Sequence, residues 1–273
     1  MDNQDQIEFW DGDAGSKWSD YQTQMDAMLG PLGLAGIDIL APANGARVLD
    51  VGCGCGDTSL VLAERGTQVT GVDISGPMLA RARDRAATRG LDVSFRQADA
   101  SSAVFDAPFD HVFSRFGVMF FADPTRAFAH IRSQLAPNGS VTFVCWRAAQ
   151  ENPWISEPTA AVFKHVPRPD EAPDPLAPGP FAFAGKVRVS GILQDAGFAN
   201  VEVAPLDLDL TVGRTVDEAM LFVSEIGPAS RLLVGQTPDV VARVKDELTT
   251  LMGDRMGDGG IRMAAACWIV SAS

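Results

Sequence analysis

Between Val48 and Asp57 the chain reads Val48-Leu49-Asp50-Val51-Gly52-Cys53-Gly54-Cys55-Gly56-Asp57, an apolar run that breaks into glycine at every second position. Glycines let a backbone approach a ligand closely, and a helix starting there offers unpaired N–H groups. Dinucleotide-binding proteins share such a turn, but their spacing needs a glycine at 57, where Asp57 stands. A carboxylate repels a pyrophosphate, so Asp57 suits a ligand without phosphates, or a helix N-cap. Asp73 closes the next apolar run and can accept hydrogen bonds from both hydroxyls of a ribose, with Ile74 placed against an adenine face. Asp99, in Gln97-Ala98-Asp99-Ala100, can accept one from an adenine amino group. Each aspartate alone is an ordinary turn or cap residue. In order after successive strands, the three mark one binding edge, because ligands sit at the carboxyl ends of such strands.

Other reactive side chains are fewer. Cys53 and Cys55 lie between the glycines, and no second ligand pair has zinc-site spacing, so no metal is expected. Disulfides are not expected in a reducing compartment. His111 falls early in a buried strand and reads as structural; His130 falls within a helix and reads as surface or packing. His165 and Tyr21 are the open candidates for facing a substrate, and no catalytic base is assigned. Phe9, Trp10, Trp18, Phe116, Phe120, Phe121, Trp146, Trp154, Phe181 and Phe183 are core residues in the plainest reading. Trp146 and Trp154 are the better candidates for a pocket wall, which favours an apolar or aromatic small molecule.

These residues must be held by strands alternating with helices. Apolar runs at 47–51, 68–73, 92–96, 109–114 and 140–146 predict five strands, two of them nearly continuous in apolar residues and so covered on both faces. Ser75-Gly76-Pro77 starts a helix that Gly90 ends, and Asp123-Pro124 starts another that stops near Pro137-Asn138-Gly139. Further helices are predicted near 187–196, 216–226 and 240–252, and strands at 201–212 and 261–270. The pattern predicts an α/β fold with a doubly wound, mostly parallel, seven-stranded sheet. A single domain of 1–273 is expected: an N-terminal helical arm (1–45), a binding core (46–146), an insert (147–185) and a C-terminal part of sheet and helices (186–273). Prolines 153, 158, 167, 169, 173, 175, 178 and 180 exclude a long helix or a central strand from the insert. Arm and insert are expected to form a lid over the binding edge.

The formal charge of −13 over 273 residues opposes a phosphate backbone, and Arg81, Arg83, Arg85 and Arg89 alternate with Asp84 and alanines as a solvated helix face. No nucleic-acid partner is expected. No apolar run reaches the roughly 18 residues of a membrane helix. The acidic start lacks the regions of a signal peptide, and a cytoplasmic protein is expected.

The chain resembles the class I S-adenosylmethionine-dependent methyltransferases, near the ubiquinone-biosynthesis type of small-molecule enzyme. The likeness rests on residues 48–56, on Val72-Asp73-Ile74-Ser75, Ala98-Asp99-Ala100 and residues 109–116, and on Leu135 to Ser140 as the turn into the fifth strand. It implies a Rossmann-like methyltransferase fold, S-adenosylmethionine as cofactor and S-adenosylhomocysteine as product. It also implies that Asp50 and the Gly52, Cys53, Gly54 and Gly56 turn hold the amino-acid part, and Asp73 the ribose. Ile74 and Met78 would flank the adenine, Asp99 and Ala100 would meet its edge, and Ser114 and Arg115 would lie beside the methionine moiety. Ser114-Arg115-Phe116-Gly117 replaces the Asn/Asp-Pro-Pro-Tyr of enzymes that methylate nucleic-acid bases, which again points to a small-molecule acceptor. A further likeness, to bacterial proteins of unassigned substrate, rests on 114–124, Glu151-Asn152-Pro153-Trp154 and 178–183. A non-catalytic cofactor-binding protein and a dinucleotide oxidoreductase are the competing readings.

Overall fold

Three helices precede the sheet: α1 (Gln4–Asp11), α2 (Asp13–Asp20) and α3 (Gln22–Leu40). In α3, Gly30, Gly33 and Gly36 recur every third residue, so one face carries no side chains. A Cβ at Gly33 would lie 2.9 Å from Thr58 and 3.0 Å from Arg115, and one at Gly36 would lie 2.8 Å from Val144. The glycines therefore let this helix lie directly on the sheet. The computed structural model describes residues 3–169 and 174–273. Pro173 of the proline-rich stretch, and the first two residues of the arm, lie outside the described residues.

From Arg47 the chain winds β1 (Arg47–Val51), α4 (Asp57–Glu64), β2 (Gln68–Asp73), α5 (Gly76–Arg89), β3 (Val93–Gln97), β4 (Phe109–Arg115), α6 (Pro124–Ser133) and β5 (Leu135–Trp146). The start of α5 follows the sequence signal: Ser75 Oγ accepts from Met78 N, Pro77 sits in the first turn and Gly90 ends the helix left-handed. α6 is capped alike by Asp123. β5 begins five residues earlier than the apolar run predicts. Leu135 already pairs with Phe109, and the Pro137-Asn138-Gly139 turn is taken up as a register shift between Phe109 and His111, with Asn138 left-handed.

Then follow α7 (Pro153–Val162), α8 (Lys186–Asp195), β6 (Glu202–Gly213), α9 (Val216–Leu221), α10 (Pro228–Leu233), α11 (Pro238–Asp254), β7 (Met256–Gly257) and β8 (Gly260–Ala272). α7 shows that the proline density allows a ten-residue helix. Pro153 stands at the first helical position, where no N–H is needed, and Pro158 costs one intrahelical bond. The helix expected over 216–226 is α9 followed by a π-helical turn, Phe222–Ile226.

The sheet runs β3-β2-β1-β4-β5-β8-β6, with β7 paired only to β8. β1 to β5 pair in parallel and β8 is antiparallel to β5. The fold is thus α/β, doubly wound and mostly parallel, as the alternation predicts. Strand order reverses between β1 and β4, and that switch point lies beside the Gly52–Gly56 turn. Behind it Ile37, Leu40, Val48, Leu62, Val69 and Phe113 form a fully or nearly fully buried core.

The chain forms two compact units. One comprises Met1–Trp146, Pro175–Leu206 and Cys267–Ser273; the other Arg147–Asp174 and Asp207–Ala266. In the first, Phe183 is buried against Phe128 and Phe143, and Gly179 N donates to Met119 O. In the second, the buried Asn152 amide donates to Arg147 O, Ala148 O and Ala266 O, while its Oδ1 accepts from Trp154 Nε1 and Ala266 N. Every polar capacity of that side chain is used, which makes it a structural clamp.

Candidate active site

The glycine turn is built by backbone conformation. Gly52, Gly54 and Gly56 have φ of 66°, 53° and 82°, a region costly for side chains with a Cβ. This accounts for glycine at every second position. Gly56 is the residue before α4 and Asp57 is the first helical residue, so Asp57 is not the N-cap considered from sequence. Next to the turn, Gly117 comes so close to Gly52 that a Cβ on either would lie 2.7–2.8 Å from the other's Cα. Sequence reasoning missed Gly117, whose spacing to the turn only the fold defines.

Asp73 ends β2 and is buried, 7% exposed as a residue. Oδ2 accepts from Gly54 N at 2.8 Å and Oδ1 from Ser75 N at 2.9 Å. Burial raises its pKa, against the lowering effect of these backbone donors. Each oxygen keeps an acceptor site for a further donor. Ile74 is half-buried and Met78 buried, its Sδ 3.6 Å from a Cβ built on Gly54. Asp99 Oδ1 accepts from Ser101 N at 2.8 Å in an Asx turn, and Ala100 is buried beside it. The ends of β1, β2 and β3 therefore bring the turn, Asp73, Ile74, Met78, Asp99 and Ala100 to one edge.

Asp50 and Ser114 lie deeper. Asp50 is fully buried, and its Oδ2 accepts from Thr58 Oγ1 (2.7 Å) and Ser59 Oγ (2.6 Å) at the start of α4. Oδ1 has no partner among the described residues. Burial pushes its pKa up to about 6, with the two hydroxyls opposing the shift. Ser114 Oγ donates to Val51 O (2.8 Å) and accepts from Gly117 N (3.2 Å), tying β4 to β1 where strand order reverses. Cys53 is buried, and desolvation raises its thiol pKa well above the ordinary value. Cys55 is raised to about 12 by the same cause, so neither is a ready nucleophile.

Arg115 leads to a chain of alternating charges. Its Nη1 lies 2.6 Å from Asp57 Oδ2; Asp57 Oδ1 lies 3.8 Å from Arg85, which reaches Asp26 at 2.5 Å and donates to Cys55 O. All four side chains are less than one-fifth exposed. Asp57 is thus neutralised from within, and Arg85 braces the turn instead of lying on a solvated face. The four charged residues come from four elements, β4, α4, α5 and α3, which no local pattern reports. A groove of about 650 Å³ opens here between α3 and α5, lined by Gln22, Asp26, Arg81 and Arg85 among others. None of Asp73, Ile74 or Asp99 lines it.

The N-terminal helices lie on the same edge. Asp11 Oδ1 accepts from Gly76 N (2.7 Å) and Gln97 Nε2 (3.1 Å). Trp10 meets Phe120 edge-on at 5.3 Å and Trp18 at 5.8 Å, and the Cys55 thiol faces Trp18 O. Tyr21 marks the break between α2 and α3. Of the histidines, His111 Nδ1 bonds Ser140 Oγ and His130 Nε2 bonds Ala103 O. His165 lies 3.9 Å from Glu247, within the second unit. Among the described residues no group of side chains could hold a metal, and no helix is long and apolar enough to cross a membrane.

Comparison with known proteins places these features. A family described as "Methyltransferase domain" matches residues 48–139. The demethylmenaquinone methyltransferase of Thermus thermophilus is 42% identical over 106 residues, covering 38% of this chain and 48% of that protein. The aklanonic acid methyltransferase of a Streptomyces species is 38% identical over 118 residues, covering 41% and 54%. The chain thus spans about half the length of these curated relatives. A phosphoethanolamine N-methyltransferase of Haemonchus contortus, solved with S-adenosyl-L-methionine, superposes over 100% of this chain and 60% of its own, with TM-score 0.60 and 20% identity. That likeness shows the shared fold. The segment that matches the methyltransferase-domain family, residues 48–139, contains the glycine turn, Asp73, Asp99, Ser114 and Arg115.

Proposed function

We propose that the protein transfers a methyl group from S-adenosylmethionine to a small-molecule acceptor. The observation that carries this reading is the convergence of a three-glycine left-handed turn with Asp73, Ile74, Met78 and Asp99 at one sheet edge. The residues suit the cofactor. Gly54 adopts the left-handed backbone that turns its N–H to Asp73, Asp73 keeps acceptor capacity for two ribose hydroxyls, and buried Asp50 Oδ1 awaits a donor. When bound, the cofactor supplies an electrophilic methyl on a good leaving group. The chain's task is then to align donor and acceptor and to keep water out. In this reading Gly52, Cys53, Gly54 and Gly56 hold the amino-acid end with Asp50 fixing the turn from beneath. Ile74 and Met78 flank the adenine, with Asp99 and Ala100 at its edge. Ser114 and Arg115 close the methionine end. The N-terminal helices act as cover, through Asp11 on Gly76 and Gln97. Relatives named for demethylmenaquinone and aklanonic acid support a small-molecule acceptor.

The test is calorimetry and thermal melting with S-adenosylhomocysteine, with NADH as control. Binding of the first alone, with stabilisation of about 2.7 kcal/mol at a hundredfold excess over Kd, is expected. A melt unmoved at millimolar S-adenosylhomocysteine defeats the reading.

A further inference from the structure

Phe116, one residue beyond β4, has φ of +62°. A bulky side chain in this region is an outlier, and such strain persists only where the surroundings impose it. Here they do. Phe116 N donates to Val144 O, and Gly117 N is held by Ser114 Oγ. The imposed turn lays the Phe116 ring on Trp146, the last residue of β5, with centroids 4.1 Å apart and planes within 4°. The other aromatic pairs of this sheet edge meet edge-on, as Trp10 does with Phe120 and Trp18, so the parallel stack presents one flat wall there. The packing of the core does not explain it. The core phenylalanines 109, 113, 128 and 143 are at most 1% exposed, whereas Phe116 is only half-buried although its backbone is strained to place it. Trp10, Trp18 and Phe120, in the edge-on cluster at the same sheet edge, are likewise half-buried. Gly117 fixes the distance: it touches Gly52, so the ring stands one residue from the cofactor turn.

The geometry points to Phe116, backed by Trp146, as the platform on which a flat, conjugated acceptor stacks beside the transferring methyl. Phe116 is thus a residue that selects planar over saturated rings. This deepens the methyl-transfer reading and rests on it for the acceptor's role, though not for the stacking itself. A wall of this kind offers dispersion and quadrupole contact to a ring of any substitution pattern, and a puckered ring gains little from it.

The test uses 2-naphthol and its saturated counterpart decahydro-2-naphthol, titrated by calorimetry into the full chain with and without S-adenosylhomocysteine. Wild type should bind the flat probe about tenfold more tightly than the saturated one. Phe116→Leu should weaken 2-naphthol about three- to tenfold while S-adenosylhomocysteine affinity stays within about twofold, and Phe116→Tyr should restore 2-naphthol binding. Phe116→Gly, which relieves the positive φ, serves as the folding control and should lose 2-naphthol affinity without losing the cooperative melt. Equal affinity for both probes, no 2-naphthol binding by wild type, or unchanged 2-naphthol affinity in Phe116→Leu overturns the assignment. If S-adenosylhomocysteine does not bind but the planar preference and its loss in Phe116→Leu persist, the methyl-transfer reading falls and the aromatic platform stands.

Discussion

Two aspartates show how burial converts a carboxylate into a positioning device. Asp73 holds Gly54 N and Ser75 N, so Asp73→Ala removes the acceptor for two backbone donors as well as the proposed ribose contact. Bonds to a charged acceptor contribute about 1.5–3 kcal/mol each. S-adenosylhomocysteine affinity should fall at least tenfold, by roughly 1.4 kcal/mol or more, and the melt should drop with it; calorimetry of the variant showing parental affinity would sink the role. Asp50 behaves differently because its pKa is raised by burial to about 6. Its protonated form is favoured by folding, so the stability it lends is complete below the unfolded value of 3.8 and is lost as pH rises through 6. Asp50→Asn keeps an acceptor for Thr58 and Ser59 and removes the charge. In urea titrations the variant should gain on wild type between pH 4 and pH 7, by up to roughly 3 kcal/mol. A difference independent of pH contradicts the assignment.

Among the elements, α3 shows why glycines 33 and 36 stand where helix propensity disfavours them. Ala at Gly33 would press on Thr58 and on Arg115, whose guanidinium holds Asp57. Gly33→Ala should destabilise the chain by about 1–3 kcal/mol in spite of the better helix former. Gly191→Ala, inside α8 with nothing near the added methyl, should instead stabilise it by about 0.5–1 kcal/mol. Chemical denaturation of both variants decides whether packing or propensity governs α3; a stabilising Gly33→Ala means the close approach is not needed. The same elements show what sequence patterns carry. Ser75, Pro77 and Gly90 announced α5 because caps are local. The start of β5 at Leu135 was hidden because a register shift depends on Phe109 of the neighbouring strand.

For the whole molecule, the question is how the N-terminal helices act on the sheet edge. Asp11 bridges 65 residues to Gly76 and 86 to Gln97, at the two strand ends proposed to hold ribose and adenine. If these helices cover the cofactor, amide exchange over residues 3–22 should slow when S-adenosylhomocysteine binds. Asp11→Ala should speed exchange there and accelerate S-adenosylhomocysteine dissociation several-fold, with the sheet unaffected. Protection confined to 50–57, 73–78 and 99–100 would leave the cofactor reading intact and make the arm a fixed extension.

What the sequence determined by itself was whatever short-range chemistry dictates. The three alternate glycines mark a turn after β1, Asp73 ends its strand and Asp99 follows the next one, and strands alternating with helices wind a parallel sheet whose carboxyl edge collects them. Only the tertiary structure decided what depends on partners distant in the chain. Asp57 pairs with Arg115, 58 residues away, and not with its own helix start. Arg85 braces Cys55 O, Asp50 and Ser114 lie beneath the edge, and Phe116 is forced left-handed onto Trp146. Those outcomes follow from how strands and helices close on one another, because a side chain's charge partner, burial and strain are properties of the packed neighbours and not of the residue's own segment.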